Sequence, residues 1–209
     1  MRPALRWALL VALLALAAVA ALWPHRDLPE AGTGQPFDYS ADLGQLRAEA
    51  ALQPCPAPSA DRTSAQGPLS GMMLACLGTP GTVDLGAALA GRPALLNMWG
   101  PLCRPCAEEL PALAAYAAEP GAVPVLGVEV QRLPEGALDM LAVLDVHYPS
   151  VSDPEGKLRA ALGAPQVLPL SFVVSADGRV SQVNPPEVLR TAEQVREVVQ
   201  RYLGPGAAG

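Results

Sequence analysis

The chain has 209 residues, a formal net charge of −6 and a hydrophobic fraction of 51%, much of which is alanine. That length admits one ordinary domain plus extensions. The acidic balance argues against nucleic acid or an anionic membrane surface as partner.

Residues 1–27, MRPALRWALLVALLALAAVAALWPHRD, open with Arg2 and Arg6 and continue as an apolar run from Trp7 to Trp23, ended by Pro24. A helix of that length rises about 25 Å, against a hydrocarbon core of about 30 Å. The run reads as a retained single-pass anchor. Ala18-Val19-Ala20 fits a small-x-small cleavage site but has no polar spacer before it, so a cleaved signal is the alternative. In either case Arg2 and Arg6 stay cytoplasmic and residues 25–209 lie outside. Disulfides persist there, and the four cysteines, all in the exported part, allow three pairings.

Residues 27–41 are polar and rich in Gly and Pro and read as a tether. Asp42–Leu52 is expected to form a short helix with Leu43, Leu46 and Ala50 on one face. Residues 55–68 read as a loop. GMMLACLG (71–78) and GTVDL (81–85) predict short strands, and PALLNMWG (93–100) a buried central strand. A helix is expected over 106–119, a buried strand over 123–131, a helix over 135–146, a loop at Tyr148-Pro149 and a short helix over 154–163 that stops at Gly163. LSFVVSADGRVSQV (170–183) predicts a hairpin turning at Asp177-Gly178. Residues 191–204 predict a final amphipathic helix with Val195, Val198, Val199 and Leu203 on one side. Strands alternating with helices give a parallel α/β sheet that the terminal hairpin closes antiparallel, which is the order of the thioredoxin fold. The expected division is an anchor or uncleaved signal at 1–24, an extracytoplasmic tether and short helix at 25–69, a thioredoxin-like domain at 70–204 and a flexible tail at 205–209.

Cys103 and Cys106 follow a predicted buried strand and open a predicted helix, in the stretch NMWGPLCRPCAEELP (97–111). A helix N-terminus carries about half a positive charge and unpaired N–H groups, which favour a thiolate. The thiolate is the attacking species in disulfide exchange. Arg104 adds a full positive charge beside it, and Pro105 fits a first helical turn, where no donor is lost. These two residues are expected to tune the redox behaviour of the pair. The rival chemistry is a zinc site completed by Cys55 and Cys76. Such sites usually bring two tight CxxC pairs, whereas Cys55 and Cys76 are 21 positions apart. With Cys103 and Cys106 claimed by each other, Cys55 and Cys76 are expected to form a structural disulfide.

The same stretch resembles the active-site segment of the membrane-tethered thioredoxin-like oxidoreductases of the TlpA/ResA/DsbE group, associated with cytochrome c maturation. Asn97 and Trp99 match the group's pattern before the pair, Pro105 within it, and Glu109 and Pro111 after it. VLPLSF (167–172) resembles a second landmark and implies that Pro169 is a cis-proline facing the dithiol. DPEGKLRAALGA (153–164) and SADGRV (175–180) fit as well, so the likeness runs over roughly residues 70–203. Leu102 and Gly100-Pro101 depart from the pattern, which touches the substrate-facing surface.

The resemblance implies a thiol–disulfide oxidoreductase that needs no cofactor. Cys103 attacks and Cys106 resolves. The partners it implies are a membrane electron donor or acceptor and cysteine-bearing exported proteins, apocytochrome c among them. The residues do not fix the direction of electron flow: a disulfide-forming oxidant and a non-enzymatic binding or metal-delivery module are the alternatives. Asn97 lies where cytosolic thioredoxins place a buried acid, so Glu109 is the candidate replacement for moving a proton to or from the cysteines, with a solvated helix glutamate as its bland reading. Trp99 is expected to pack beside the dithiol, Glu108 to lie on the surface and Glu129 to be a charge on a sheet edge, with an acid near the site as the alternative for Glu129. His25 and His147 suggest no site.

Overall fold

The structure, a computed structural model, describes residues 39–58 and 67–204. The apolar run Trp7–Trp23, most of the tether and the tail at 205–209 lie outside the described residues. Among the described residues no helix is long and apolar enough to cross a membrane.

In chain order the elements are α1 (Tyr39–Ala50), β1 (Met73–Cys76), β2 (Thr82–Asp84), α2 (Leu85–Ala88), β3 (Ala94–Trp99), α3 (Arg104–Ala117), β4 (Val125–Glu129), α4 (Pro134–Val143), β5 (Ser150–Ser152), α5 (Lys157–Ala161), β6 (Leu170–Val174), β7 (Val180–Gln182) and α6 (Ala192–Leu203). The strands form one sheet in the order β2-β1-β5-β4-β3-β6-β7. β3, β4 and β5 run parallel, and β6 pairs antiparallel with β3. The hairpin β6–β7 turns through Asp177-Gly178, with Gly178 at φ 85°.

Alternation along the fully buried β3 sorts its side chains onto two faces. Leu95 and Trp99 join the layer built by α1, α3, α4 and α6, including Leu110, Leu113, Leu138, Leu141, Val195 and Val198. Leu96 and Met98 join the opposite layer, with Leu85 and Leu89 at α2, Leu158 of α5, Phe172 and Val151. The sheet is therefore covered on both sides, as a parallel sheet requires. The segment before β1 is bound into this body. Leu43, Ala50 and Leu52 are buried in the first layer, the Arg47 guanidinium donates to the Leu77 carbonyl at 3.0 Å, and Gln53 N–H donates to the His147 carbonyl at 2.7 Å.

Two elements differ from the sequence reading. Residues 150–152 are a strand, β5, inserted between β1 and β4, where only the loop at Tyr148-Pro149 was expected. Leu85 belongs to the one-turn helix α2, whose first turn is capped by the Asp84 carboxylate accepting from Ala87 N–H. The insertion of β5 also corrects Glu129. β4 is interior, and Glu129 is wholly buried rather than at an edge. Its carboxylate accepts from Ser152 Oγ at 2.8 Å and from Gln131 N–H.

Candidate active site

β3 ends at Trp99, and the three-residue loop Gly100-Pro101-Leu102 leads to Cys103, the N-cap of α3. The helix begins two residues before the expected position because the cysteine itself caps it. Cys103 Sγ accepts from Cys106 N–H at 3.2 Å, and Pro105 sits in the first turn, where it forfeits no backbone bond. Cys103 and Cys106 are joined as a disulfide, with S–S 2.04 Å and Cα atoms 5.2 Å apart. Cys103 keeps 8% of its surface exposed and Cys106 none. The side chains of Arg104, Pro105 and Leu102 around them are exposed.

The loop itself is clamped. Gln131, just past β4, accepts from Leu102 N–H through Oε1 at 2.8 Å. Gly100 makes room for this: a Cβ there would stand 2.3 Å from the Gln131 amide. Leu102 is held with 77% of its surface in solvent, next to the dithiol.

The peptide bond between Leu168 and Pro169 is cis, and Pro169 is buried at the start of β6. Since Met98 pairs with Leu170, the next step of the antiparallel register sets Pro169 opposite Trp99, at the strand end from which the cysteine loop departs. A second cis bond, Asn184-Pro185, was not anticipated from the sequence.

Glu109 lies one turn after Cys106 and is 1% exposed. Its Oε2 accepts from Asn97 Nδ2 at 2.7 Å, and its Oε1 accepts from Leu189 N–H at 3.0 Å. Burial raises its pKa to about 7, against the lowering effect of these two hydrogen bonds and of the nearby Arg190 charge. Glu108, one position earlier, is at the surface in an ion pair with Arg190 at 2.9 Å. Trp99 is fully buried on the same face of the sheet. Sequence reasoning missed two participants. Ser171 accepts from Asn97 Nδ2 at 3.1 Å, and the Leu189 backbone grips Glu109. Both are long-range partners, 74 and 80 positions from the groups they bind, and no local pattern marks them.

Cys55 and Cys76 are joined as a second disulfide, with Cα atoms 6.1 Å apart, tying the segment after α1 to the end of β1. A groove of about 670 Å³, lined by Pro111, Ala114, Val125, His147 and Tyr148 among others, lies behind α3 and includes neither Cys103 nor Cys106.

A dithiol on a helix cap, fed by a central parallel strand, is the feature a family comparison can weigh. The family model Redoxin matches residues 56–199. The chain belongs to the Redoxin family. Among curated proteins it is 39% identical over 93 residues to the thiol:disulfide interchange protein DsbE of Xylella fastidiosa, covering 44% of this chain and 46% of that protein. It is 28% identical over 116 residues to the thiol-disulfide oxidoreductase ResA of Bacillus cereus, covering 54% and 62%. The chain thus spans about half to two thirds of the length of the relatives it matches. Among solved structures, a secreted Mycobacterium tuberculosis disulfide oxidoreductase homologous to Escherichia coli DsbE superposes with a TM-score of 0.55 at 25% identity, over 63% of this chain and 96% of that one. The thioredoxin-like architecture expected from the element order is the one this Redoxin chain has.

Proposed function

We propose that the chain is an extracytoplasmic thiol–disulfide oxidoreductase, tethered through residues 1–24, that exchanges disulfides at Cys103 and Cys106. The observation that carries this reading is the disulfide across the first turn of α3, with its outer sulfur accepting a backbone N–H and its inner sulfur fully buried. The thiol–disulfide names of the relatives and the apolar run at the N-terminus support it.

In the reducing direction, Cys103 thiolate attacks a sulfur of the partner's disulfide. A mixed disulfide forms and the partner's other sulfur leaves as thiolate. Cys106, losing its proton, then attacks Cys103 Sγ. The mixed disulfide breaks, the partner leaves fully reduced, and two electrons have passed to it while Cys103 and Cys106 become the disulfide. The helix N-terminus and the Arg104 charge favour the Cys103 thiolate, whereas burial favours the neutral Cys106 thiol. Glu109, whose pKa of about 7 lets it hold or release a proton near neutral pH, is the acid–base partner of Cys106. Pro169 and Trp99 shape the wall beside the pair, and the Cys55–Cys76 bridge is structural.

Exported cysteine-bearing proteins, apocytochrome c among them, are the substrates in this reading, and a membrane electron donor regenerates the dithiol. The reducing direction rests on the resemblance of residues 97–111 to the cytochrome c maturation group. Equilibration of the Cys103–Cys106 couple with glutathione tests it. A reductant has a potential near or below that of a cytosolic-type thioredoxin, about −270 mV, whereas a value near −120 mV is that of a disulfide-forming oxidant.

A further inference from the structure

Four buried side-chain atoms have no hydrogen-bond partner among the described residues: Asn97 Oδ1, Trp99 Nε1, Tyr148 OH and Ser150 Oγ. Buried polar atoms are partnered in the great majority of cases, so four orphans need an account. They are not scattered. Ser150, Gly127 and Asn97 are cross-strand neighbours in successive pairs, forming one lateral row on β5, β4 and β3. Trp99 is two residues further along β3 and shares the face of Asn97. Where a side chain at Gly127 would begin, Ser150 Oγ is 2.4 Å away, Trp99 Nε1 2.9 Å and the Tyr148 ring 3.2 Å. Asn97 completes the set. Its Nδ2 is turned to Glu109 and to Ser171 on the β6 side, so the planar amide carries Oδ1 on the other side, that of Gly127.

We propose that this row is a binding site for one internal water, held over Gly127 by Trp99 Nε1–H, Ser150 Oγ, Tyr148 OH and Asn97 Oδ1, and that through Asn97 it positions the hydrogen bond received by Glu109. The donors and acceptors balance. The water accepts from the indole N–H, donates to Asn97 Oδ1, and exchanges one bond each with the two hydroxyls, which can donate or accept. Internal waters make about three such bonds. A Cβ at Gly127 would press on Ser150 Oγ and Trp99 Nε1, two of the groups that hold the water. Asn97 has the consequence for chemistry. With a donor on Oδ1, its amide is fixed with Nδ2 toward Glu109, and the reversed amide would face the carboxyl with a second acceptor.

The role of the site in acid–base chemistry rests on the reading of Glu109 given above; the water site itself does not. The groups that act on Glu109 are Asn97 from β3, the Leu189 N–H with the charges of Arg190 and Glu187 from the segment before α6, and Tyr148 from the strand side; Cys106 stands one turn earlier on α3.

The test uses the full-length chain in detergent, oxidised so that neither cysteine titrates. The first readout is a magnetisation transfer between water and the Trp99 indole proton, assigned with Trp99→Phe. A long-lived water cross-peak is expected in the native protein. Its absence overturns the site whatever the activity. The second readout is the Glu109 carboxyl titration by carbon NMR in Gly127→Ala and in Ser150→Ala. Gly127→Ala is expected to abolish the cross-peak and raise the Glu109 midpoint by about one unit, the scale of one lost hydrogen bond to a charged group. Ser150→Ala removes one partner but no space and is expected to keep the cross-peak. Unchanged Glu109 titration in folded Gly127→Ala overturns the positioning role. If Gly127→Ala does not fold, Trp99→Phe, which removes the indole N–H and adds no charge, is read in its place: a raised Glu109 midpoint supports the coupling, and an unmoved midpoint refutes it.

Discussion

Asn97 Nδ2 donates to Glu109 Oε2 at 2.7 Å, so β3 and the second turn of α3 share one buried polar unit, with Glu109 one helical turn past Cys106. Burial dominates its electrostatics and lifts the Glu109 pKa from an ordinary 4.5 to about 7. A group with a raised pKa in the folded state contributes stability that is fully present below its unfolded pKa and is lost as pH rises through the folded value. The window here is pH 4.5 to 7, and the loss across it is about 3 kcal/mol. Urea unfolding of the oxidised protein at both ends of the window, compared with Glu109→Gln, measures it. The variant is expected to lack that part of the pH slope, and equal slopes would remove Glu109 as its source.

The Cys55–Cys76 bridge closes a loop of sequence separation 21 and pins the segment carrying Leu52 to β1. Loop-closure entropy for such a loop is worth about 3 kcal/mol. The double variant Cys55→Ser, Cys76→Ser is expected to unfold with a midpoint shifted accordingly while keeping thiol–disulfide exchange at Cys103. A variant as stable as the parent would show that the bridge contributes nothing.

Among the described residues Gln131 is the side chain that holds Leu102 N–H, and Leu102 presents its exposed side chain beside the dithiol. Gln131→Ala removes one hydrogen bond of about 1 kcal/mol, so amide hydrogen exchange at Leu102 is expected to quicken about fivefold. Exchange at Leu113, deep in α3, is the internal control and should not change. Equal rates at Leu102 in both proteins would mean that the loop is fixed without the clamp.

How far these features can be read in the chain itself depends on their range. The dithiol and the helix it opens are local signals: a buried apolar run, a CxxC at its end and Pro105 in the first turn; the cis-proline at 169 came only from the resemblance of residues 167–172 to the family. α1 was legible from Leu43, Leu46 and Ala50. β5 was not, because Ser150–Ser152 is three residues long and carries one apolar side chain; its pairing with β1 and β4 makes it a strand. That omission explains the misplacement of Glu129. Without β5 the strand β4 looks like an edge, and a charge on an edge is unremarkable. Asn97 and Glu109 were each noticed, but their contact with Ser171 and Leu189 depends on strand register and on the path of the chain before α6. The row over Gly127 is likewise invisible in sequence, since it exists only once β3, β4 and β5 lie side by side.

The central claim is that Cys103 is the exchanging sulfur and Cys106 the resolving one. The measurement that bears on it most directly is trapping. The Cys106→Ser and Cys103→Ser chains are each reacted with a disulfide-bearing unfolded polypeptide, and the mixed disulfides are mapped by mass spectrometry. Cys106→Ser is expected to accumulate a stable adduct through Cys103, because that sulfur caps the helix and keeps some exposure, and Cys103→Ser is expected to accumulate almost none, because Cys106 is fully buried. Equal trapping by both, or more by Cys103→Ser, would contradict the account.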